Sequence, residues 1–353
     1  MMTTVSLLSL LIGGVRRSSS FSFSYNKGAR RLSSSLKMSG LTYTTLQSIS
    51  PLVENAHQIC RSQLTHSYDF RITQLRGIER LITENSSSLA DAIEKDLGQG
   101  PMYAEAFELS QVISHSTYSR RNLKDWMSTK RTPTPWPVNL NIPVHSELTP
   151  NPRGVALILT PWNLPILLTL VSIVLCNLAH VYNINITYTV ISTSWLRYLN
   201  IVPSLFSVHI PKNPLIDAIT AGNVCILKMS EKSVHCTQLL TELIAKYIDS
   251  RAVMIVNGGA DVATELLKQR FDVISYTGGI TVGRIVAAAA AKQLTPVLLE
   301  LGGKNPVFVT KNAHLPSAAL RIAGGKVTGN TGQMCKFILQ CCMLFFLFFH
   351  TII

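Results

Sequence analysis

The stretch from Thr264 to Pro306, TELLKQRFDVISYTGGITVGRIVAAAAAKQLTPVLLELGGKNP, decides how this chain folds. Val273-Ile-Ser-Tyr is a short apolar run, a Thr-Gly-Gly turn follows, and from Val282 onward an Ala-rich segment has the composition of a helix. The expectation is a strand ending at Tyr276 and a helix whose unpaired N–H groups face the turn, an arrangement that favours a bound phosphate. Gly278 and Gly283 are spaced G-x-x-x-x-G. That is neither the common dinucleotide fingerprint nor a complete P-loop, because no Lys-Ser/Thr follows Gly283. Taken alone, the stretch reads as a plain strand, turn and helix.

Working outward, the same grammar recurs. Gly154-Val-Ala-Leu-Ile-Leu, Val224-Cys-Ile-Leu and Val253-Met-Ile-Val are apolar runs closed by polar residues or glycine, with helical stretches between the later ones. Buried parallel strands joined by crossover helices are implied. From about Leu46 to Met127 apolar residues recur at three- and four-residue intervals, as in the run Phe70 to Ile82, so this part is expected to be amphipathic helices packed on one face. Pro133, Pro135, Pro137, Pro143, Pro150 and Pro152 exclude a continuous helix from Thr132 to Pro152 and mark an extended crossing segment, where a domain boundary is expected. The fold class is therefore α/β.

Composition narrows the function. Of 353 residues 47% are hydrophobic and 14% charged, which excludes a largely disordered chain. The formal net charge of +13 would suggest a nucleic-acid partner were it evenly spread. However, Arg16, Arg17, Lys27, Arg30, Arg31 and Lys37 precede the first acidic residue, Glu54. The rest holds no basic stripe interleaved with aromatics and no zinc-finger or helix-turn-helix signature, so no nucleic-acid partner is expected. Residues 1 to 40 hold eleven Ser, several Arg and the apolar run Val5 to Ile12. An organelle transit peptide over 1–45 is expected, plastid before mitochondrion. A secretory signal lacks its basic n-region, and a cytosolic product starting at Met38 is the other alternative. Cys60, Cys176, Cys225, Cys236, Cys335, Cys341 and Cys342 are odd in number and lack the paired spacings of a zinc site, so no metal is expected and a reducing compartment fits.

The stretch 264–306 closely resembles the aldehyde dehydrogenase superfamily and, within it, the class 3 or fatty aldehyde branch. Three further motifs carry the likeness in the same order: Thr160-Pro-Trp-Asn-Leu-Pro, Ala221-Gly-Asn-Val-Cys-Ile-Leu-Lys-Met-Ser-Glu, and Gly332-Gln-Met-Cys335. The resemblance covers roughly residues 46–169 and 212–335. It implies N-terminal helices with a Rossmann-like NAD-binding domain over 46–300 and the start of an α/β catalytic domain over 301–335. It also implies oxidation of an aldehyde, medium- or long-chain or lipid-derived, to a carboxylic acid with NAD, NADP being accepted by some relatives, and a homodimer. A semialdehyde dehydrogenase is the alternative within the superfamily, against which the class 3 wording stands.

Roles carry over residue by residue. Cys335 matches the nucleophile; a free thiol with a pKa near ~8.5 is a weak nucleophile at neutral pH, so a site must activate it. Asn163 matches the side-chain amide that, with a backbone N–H, stabilises the oxyanion. Glu300 matches the base that activates water against the thioester. Lys228 and Glu231 match the residues that hydrogen-bond the adenosine ribose, and Trp162, Gly278, Gly279 and Gly283 match those around adenine and pyrophosphate. Glu231 favours a free 2′-hydroxyl over a 2′-phosphate by like-charge repulsion. Outside that context the same residues read blandly. Cys335, Cys225, Cys236 and Cys60 are then small hydrophobes, Glu300 a solvated strand-end carboxylate, Asn163 a turn residue, and Lys228 with Glu231 an exposed pair near a helix start with Ser230 as its cap.

Two stretches depart from the family. Asn163 and Lys228 are 65 residues apart, and setting aside the 42 residues 170–211 leaves the 23 that the family shows. Those 42 carry one charge, Arg197, and β-branched runs such as Ile184 to Ile191. A translated intron is expected there, with a loop insertion and a membrane span over Leu164 to Val181 as alternatives. The second departure is the apolar tail 336–353, short for a membrane anchor, where intron read-through is expected. The chain as it stands is accordingly expected to be poorly soluble and inactive. The alternative function is a non-enzymatic product that binds nucleotide or associates with intact subunits.

Overall fold

The computed structural model describes residues 41–133, 146–170, 214–303, 306–307, 309, 312–328, 333 and 340–341. All of these belong to one compact unit spanning 38–353. The expected transit segment up to residue 40, Cys335, most of 170–211 and most of the tail lie outside the described residues.

The N-terminal helices form as their periodicity predicts. They are α1 (Leu46–Arg61), α2 (Tyr68–Leu97), α3 (Pro101–Ala104), a π turn over Glu105–Leu109, and α4 (Ser110–Trp126). Helix α2 starts where the Ser67 hydroxyl accepts from Phe70 N and stops at Gly98, which takes a left-handed φ of 67°. Part of the proline-rich segment is strand: β1 (Lys130–Thr132) pairs antiparallel with β2 (Ser146–Leu148).

The core is a parallel sheet of β3 (Val155–Leu159), β4 (Val224–Lys228), β5 (Val253–Ile255), β6 (Val273–Gly278) and β7 (Val297–Leu301), in the order β5-β4-β3-β6-β7. Its connections carry α5 (Leu167–Leu170), α6 (Pro214–Thr220), α7 (Val234–Tyr247), α8 (Ala260–Leu266) and α9 (Ile280–Ala291). Successive strand residues point to opposite faces, so a sheet covered on both sides must be apolar at every position. Val155, Leu157, Leu159, Val224 and Ile226 pack with α1, α8 and α9 on one face. Ala156, Ile158, Cys225 and Leu227 pack with α2, α4 and α7 on the other. This is why those strands are legible as unbroken apolar runs.

Two boundaries differ from expectation. Strand β6 continues past Tyr276 to Gly278, because Thr277 and Gly278 pair with Glu300 and Leu301 of β7. Helix α9 accordingly begins at Ile280, with Gly279 at its N-cap and no side chain capping it. Beyond β7 come β8 (Pro306–Val307), α10 (Leu315–Thr328) and β9 (Gln340–Cys341), and β9 pairs parallel with β8, so Gln340 and Cys341 of the apolar tail join a strand pair.

Among the described residues no helix is long and apolar enough to cross a membrane.

Candidate active site

From β3 the chain runs outward to β4 and β5, then returns past β3 to β6 and β7. The strand order therefore reverses between β3 and β6, and in open parallel sheets ligands bind outside the carboxyl ends of the strands at such a point. The motif residues converge there. Lys228 is the last residue of β4 and stands opposite Leu159, the last of β3. Leu159 in turn is opposite Tyr276 of β6, and Thr277 is opposite Glu300 of β7. Trp162 and Asn163 lie just beyond β3, Gly278 closes β6, and Gly279 follows it at the N-cap of α9.

Lys228 is not the exposed partner of a surface pair: it is 6% exposed. Its Nζ donates to the Met229 carbonyl at 3.1 Å and reaches Glu231 Oε2 at 3.4 Å. Burial pulls its pKa below the ordinary lysine range, and Glu231 offsets part of that. A buried ammonium is costly unless it is paired and hydrogen-bonded, and the Met229 carbonyl and Glu231 carboxylate offset that cost here. Ser230 is not a helix cap. Helix α7 starts at Val234, and the Asp96 carboxylate of α2 accepts from His235 N and Cys236 N at 3.1 and 2.8 Å.

The glycines differ in what surrounds them. A Cβ on Gly279 would meet nothing within 4 Å, so the approach to the start of α9 is open. One on Gly278 would meet the Tyr276 hydroxyl, which donates to the Gly279 carbonyl at 3.1 Å. On Gly283 it would lie 2.5 Å from Leu301 Cδ2, so this glycine seats α9 against β7. Uncapped N–H groups and an open approach suit the pyrophosphate of a dinucleotide. Lys228 and Glu231 suit its ribose hydroxyls.

The loop after β3 is held in place. Thr160 N donates to the Lys228 carbonyl at 3.1 Å, and the Thr160 and Thr169 hydroxyls are 3.1 Å apart. The Lys232 ammonium lies 5.8 Å from the Trp162 ring centroid, a cation–π contact. Asn163 Nδ2 donates to the Gln333 carbonyl at 3.2 Å. Gln333 stands two residues before Cys335 in the sequence, and Cys335 itself lies outside the described residues. Glu300 is exposed on β7. Among the described residues no cluster of His, Cys, Asp or Glu could hold a metal.

The model of the family described as "Aldehyde dehydrogenase family" matches residues 37–179 and 197–340. The chain belongs to the aldehyde dehydrogenase family. The match passes Cys335 by five residues, and its interruption falls within 170–211. "Aldehyde dehydrogenase, dimeric NADP-preferring" of Rattus norvegicus is 36% identical over 291 residues, 82% of this chain and 54% of the relative. "Aldehyde dehydrogenase family 3 member I1, chloroplastic" of Arabidopsis thaliana is 33% identical over 284 residues, 80% of this chain and 44% of the relative. The solved structure "Substrate bound state of Staphylococcus Aureus AldH" superposes with a TM-score of 0.66 at 28% identity, covering 83% of this chain and 53% of that one. The chain thus spans about half the length of the curated relatives it matches, and these are class 3 members.

Two residues around the candidate site carry no motif. Lys232 was visible only as the neighbour of Glu231. Glu108, whose carboxylate accepts from Ile166 N and Leu167 N, lies in a helical stretch that nothing in the sequence marks.

Proposed function

We propose that the protein oxidises an aldehyde to a carboxylic acid with NAD(P) through a cysteine thioester. The observation that carries the reading is the Asn163 amide at 3.2 Å from the Gln333 carbonyl, next to the Gly-Gln-Met-Cys segment. The thiolate of Cys335 adds to the carbonyl carbon, and the carbonyl electron pair moves onto oxygen. Asn163 Nδ2 and the Cys335 N–H stabilise that oxyanion, and donors fixed in advance are worth about 10²–10³ in rate each. When bound, NAD(P)+ would supply the acceptor for the hydride that leaves carbon, and a thioester remains on Cys335. Glu300 then takes a proton from water, the hydroxyl oxygen bonds to carbon, and the carbon–sulfur bond breaks to return the thiolate. Lys228 and Glu231 would hold the ribose of the bound dinucleotide, and the start of α9 would hold its pyrophosphate.

Glu231 supports a preference for NAD, while the name of the rat relative supports use of NADP. The class 3 wording of 264–306 supports a medium- or long-chain or lipid-derived aldehyde. The Ser- and Arg-rich 1–45 segment and the chloroplastic relative support plastid targeting.

The test follows NADH absorbance with purified protein and a medium-chain aldehyde. Turnover that is lost in Cys335→Ala supports the reading. The second reading is a protein that binds nucleotide without turnover. That reading is the one supported if NAD binds and Cys335 is alkylated at the rate of an ordinary thiol with no NADH formed.

A further inference from the structure

Glu108 is fully buried in the π turn Glu105–Leu109, in a helical layer that contributes none of the motif residues. Its Oε2 accepts from Ile166 N at 2.8 Å and Leu167 N at 3.0 Å. Leu168 N and Leu170 N donate to the carbonyls of Leu164 and Ile166, so a helical turn starts directly after Asn163. The first N–H groups of such a turn have no acceptor within it, and one Glu108 oxygen serves two of them. On the other side of Asn163, Thr160 N is fixed to the Lys228 carbonyl. Asn163 therefore lies three residues from an anchor on the sheet and three from an anchor on Glu108.

We infer that Glu108 is a positioning residue, which fixes the 160–167 loop so that the Asn163 amide meets the Gln333 carbonyl. The inference rests on the proposed oxyanion role of Asn163. The second oxygen, Oε1, is buried with no hydrogen-bond partner among the described residues. A buried carboxylate with half its acceptors unused is costly, and two backbone donors without an acceptor would also be costly. An acceptor at Oε2 is therefore what the site requires. The position of the proton is secondary: with a proton on Oε1 the group still accepts both N–H groups at Oε2. Burial pushes the carboxyl up to about 7, in keeping with that use.

The test compares Glu108→Met, which removes the acceptor at similar volume, with Glu108→Gln, which keeps a carbonyl oxygen, and with Asn163→Ala. Amide hydrogen exchange over 161–168, kcat and KM for the aldehyde, and NAD affinity are measured in the full protein. Expected are faster exchange over 161–168 and a fall in kcat of ~10-fold or more for Glu108→Met, since a misplacement of about 1 Å can cost ~10²-fold. NAD affinity should stay within about twofold, and Glu108→Gln should keep kcat within about threefold. Unchanged exchange, or faster exchange with unchanged kcat, while Asn163→Ala is impaired, overturns the positioning role alone. Full activity of Asn163→Ala overturns the reading beneath it. Should Glu108→Met not fold, a loss in Glu108→Gln as deep as that of Asn163→Ala overturns the acceptor role.

Discussion

Asn163 Nδ2 and the Gln333 carbonyl oxygen lie 3.2 Å apart, although 170 residues separate them. The contact joins the loop after β3 to the segment that carries Cys335. It gives the amide a fixed direction before any aldehyde binds, which is the condition for stabilising charge that develops only in the transition state. Asn163→Ala should therefore lower kcat by about 10²–10³ and leave KM for the aldehyde within a fewfold. Steady-state NADH formation measures both, and a change confined to KM would contradict the oxyanion role.

Lys228 and Glu231, proposed above to hold the ribose, differ in burial. The Lys228 side chain is 7% exposed and that of Glu231 39%. Lys228→Met should weaken NAD binding by about tenfold, or ~1.4 kcal/mol, because a hydrogen bond from a buried cation is lost. Glu231→Gln removes repulsion toward a 2′-phosphate and should shift the NADP-to-NAD affinity ratio toward NADP by several-fold, less if solvent screens the charge. Calorimetric titration with each dinucleotide reads both effects. An unchanged ratio would remove Glu231 from the 2′ position.

What the sequence discloses and what it conceals follows from how each element is stabilised. Strands β3 and β4 are buried on both faces, so Val155–Leu159 and Val224–Lys228 carry their structure in their own composition. The end of β6 does not: Thr277 and Gly278 are strand only because Glu300 and Leu301 lie beside them, a pairing made across a helix. The Asp96 cap of α7 comes from α2, 139 residues earlier in the chain, where no local capping rule could find it. Trp162, Asn163, Lys228 and Gly278 stand in short sequence motifs at or just beyond strand ends, so their positions are legible. Glu108 stands in a helix, and its role exists only through the loop it holds.

The contrast between Gly279 and Gly283 separates stability from binding. Gly283→Ala puts a methyl 2.5 Å from Leu301 Cδ2 in the α9–β7 contact. A side-chain end can move, so the expected cost is about 1–3 kcal/mol, read as a lower Tm. Gly279→Ala meets open space at φ −73° and should change stability by no more than about 0.5 kcal/mol. If phosphate passes there, Gly279→Ala should nonetheless weaken dinucleotide binding. Equal Tm losses for the two variants would contradict the packing role of Gly283.

The carboxyl of Glu108 is pushed up to about 7 by burial, and the two backbone donors offset only part of this. The folded state therefore holds its proton more tightly than the unfolded state does. Stability from this group is fully present below the unfolded pKa near ~4.3 and is lost as pH rises through about 7. Between those values the slope is at most ~1.4 kcal/mol per pH unit, downward with rising pH. Glu108→Gln has no such proton, so its Tm should depend less steeply on pH between about 4.5 and 7. Parallel Tm profiles of the two proteins across that window would place the titration elsewhere.

The cysteines of the sheet region make a chemical control for the nucleophile. Cys225 is fully buried, and burial pushes its thiol up to about 12. Cys236 is also fully buried, and its thiol is pushed up by burial and by the neighbouring Asp96 carboxylate. Burial raises the half-buried Cys60 thiol as well, with Asp272 adding to it. Thiolate is the reacting form, so all three should resist iodoacetamide in the native protein at neutral pH. Cys335 should be alkylated first, and bound NAD should change its rate selectively, as read by peptide mass spectrometry. Alkylation of Cys225 or Cys236 at a comparable rate in folded protein would mean that the sheet opens. Uniform slow labelling of all thiols would instead remove the case for an activated Cys335.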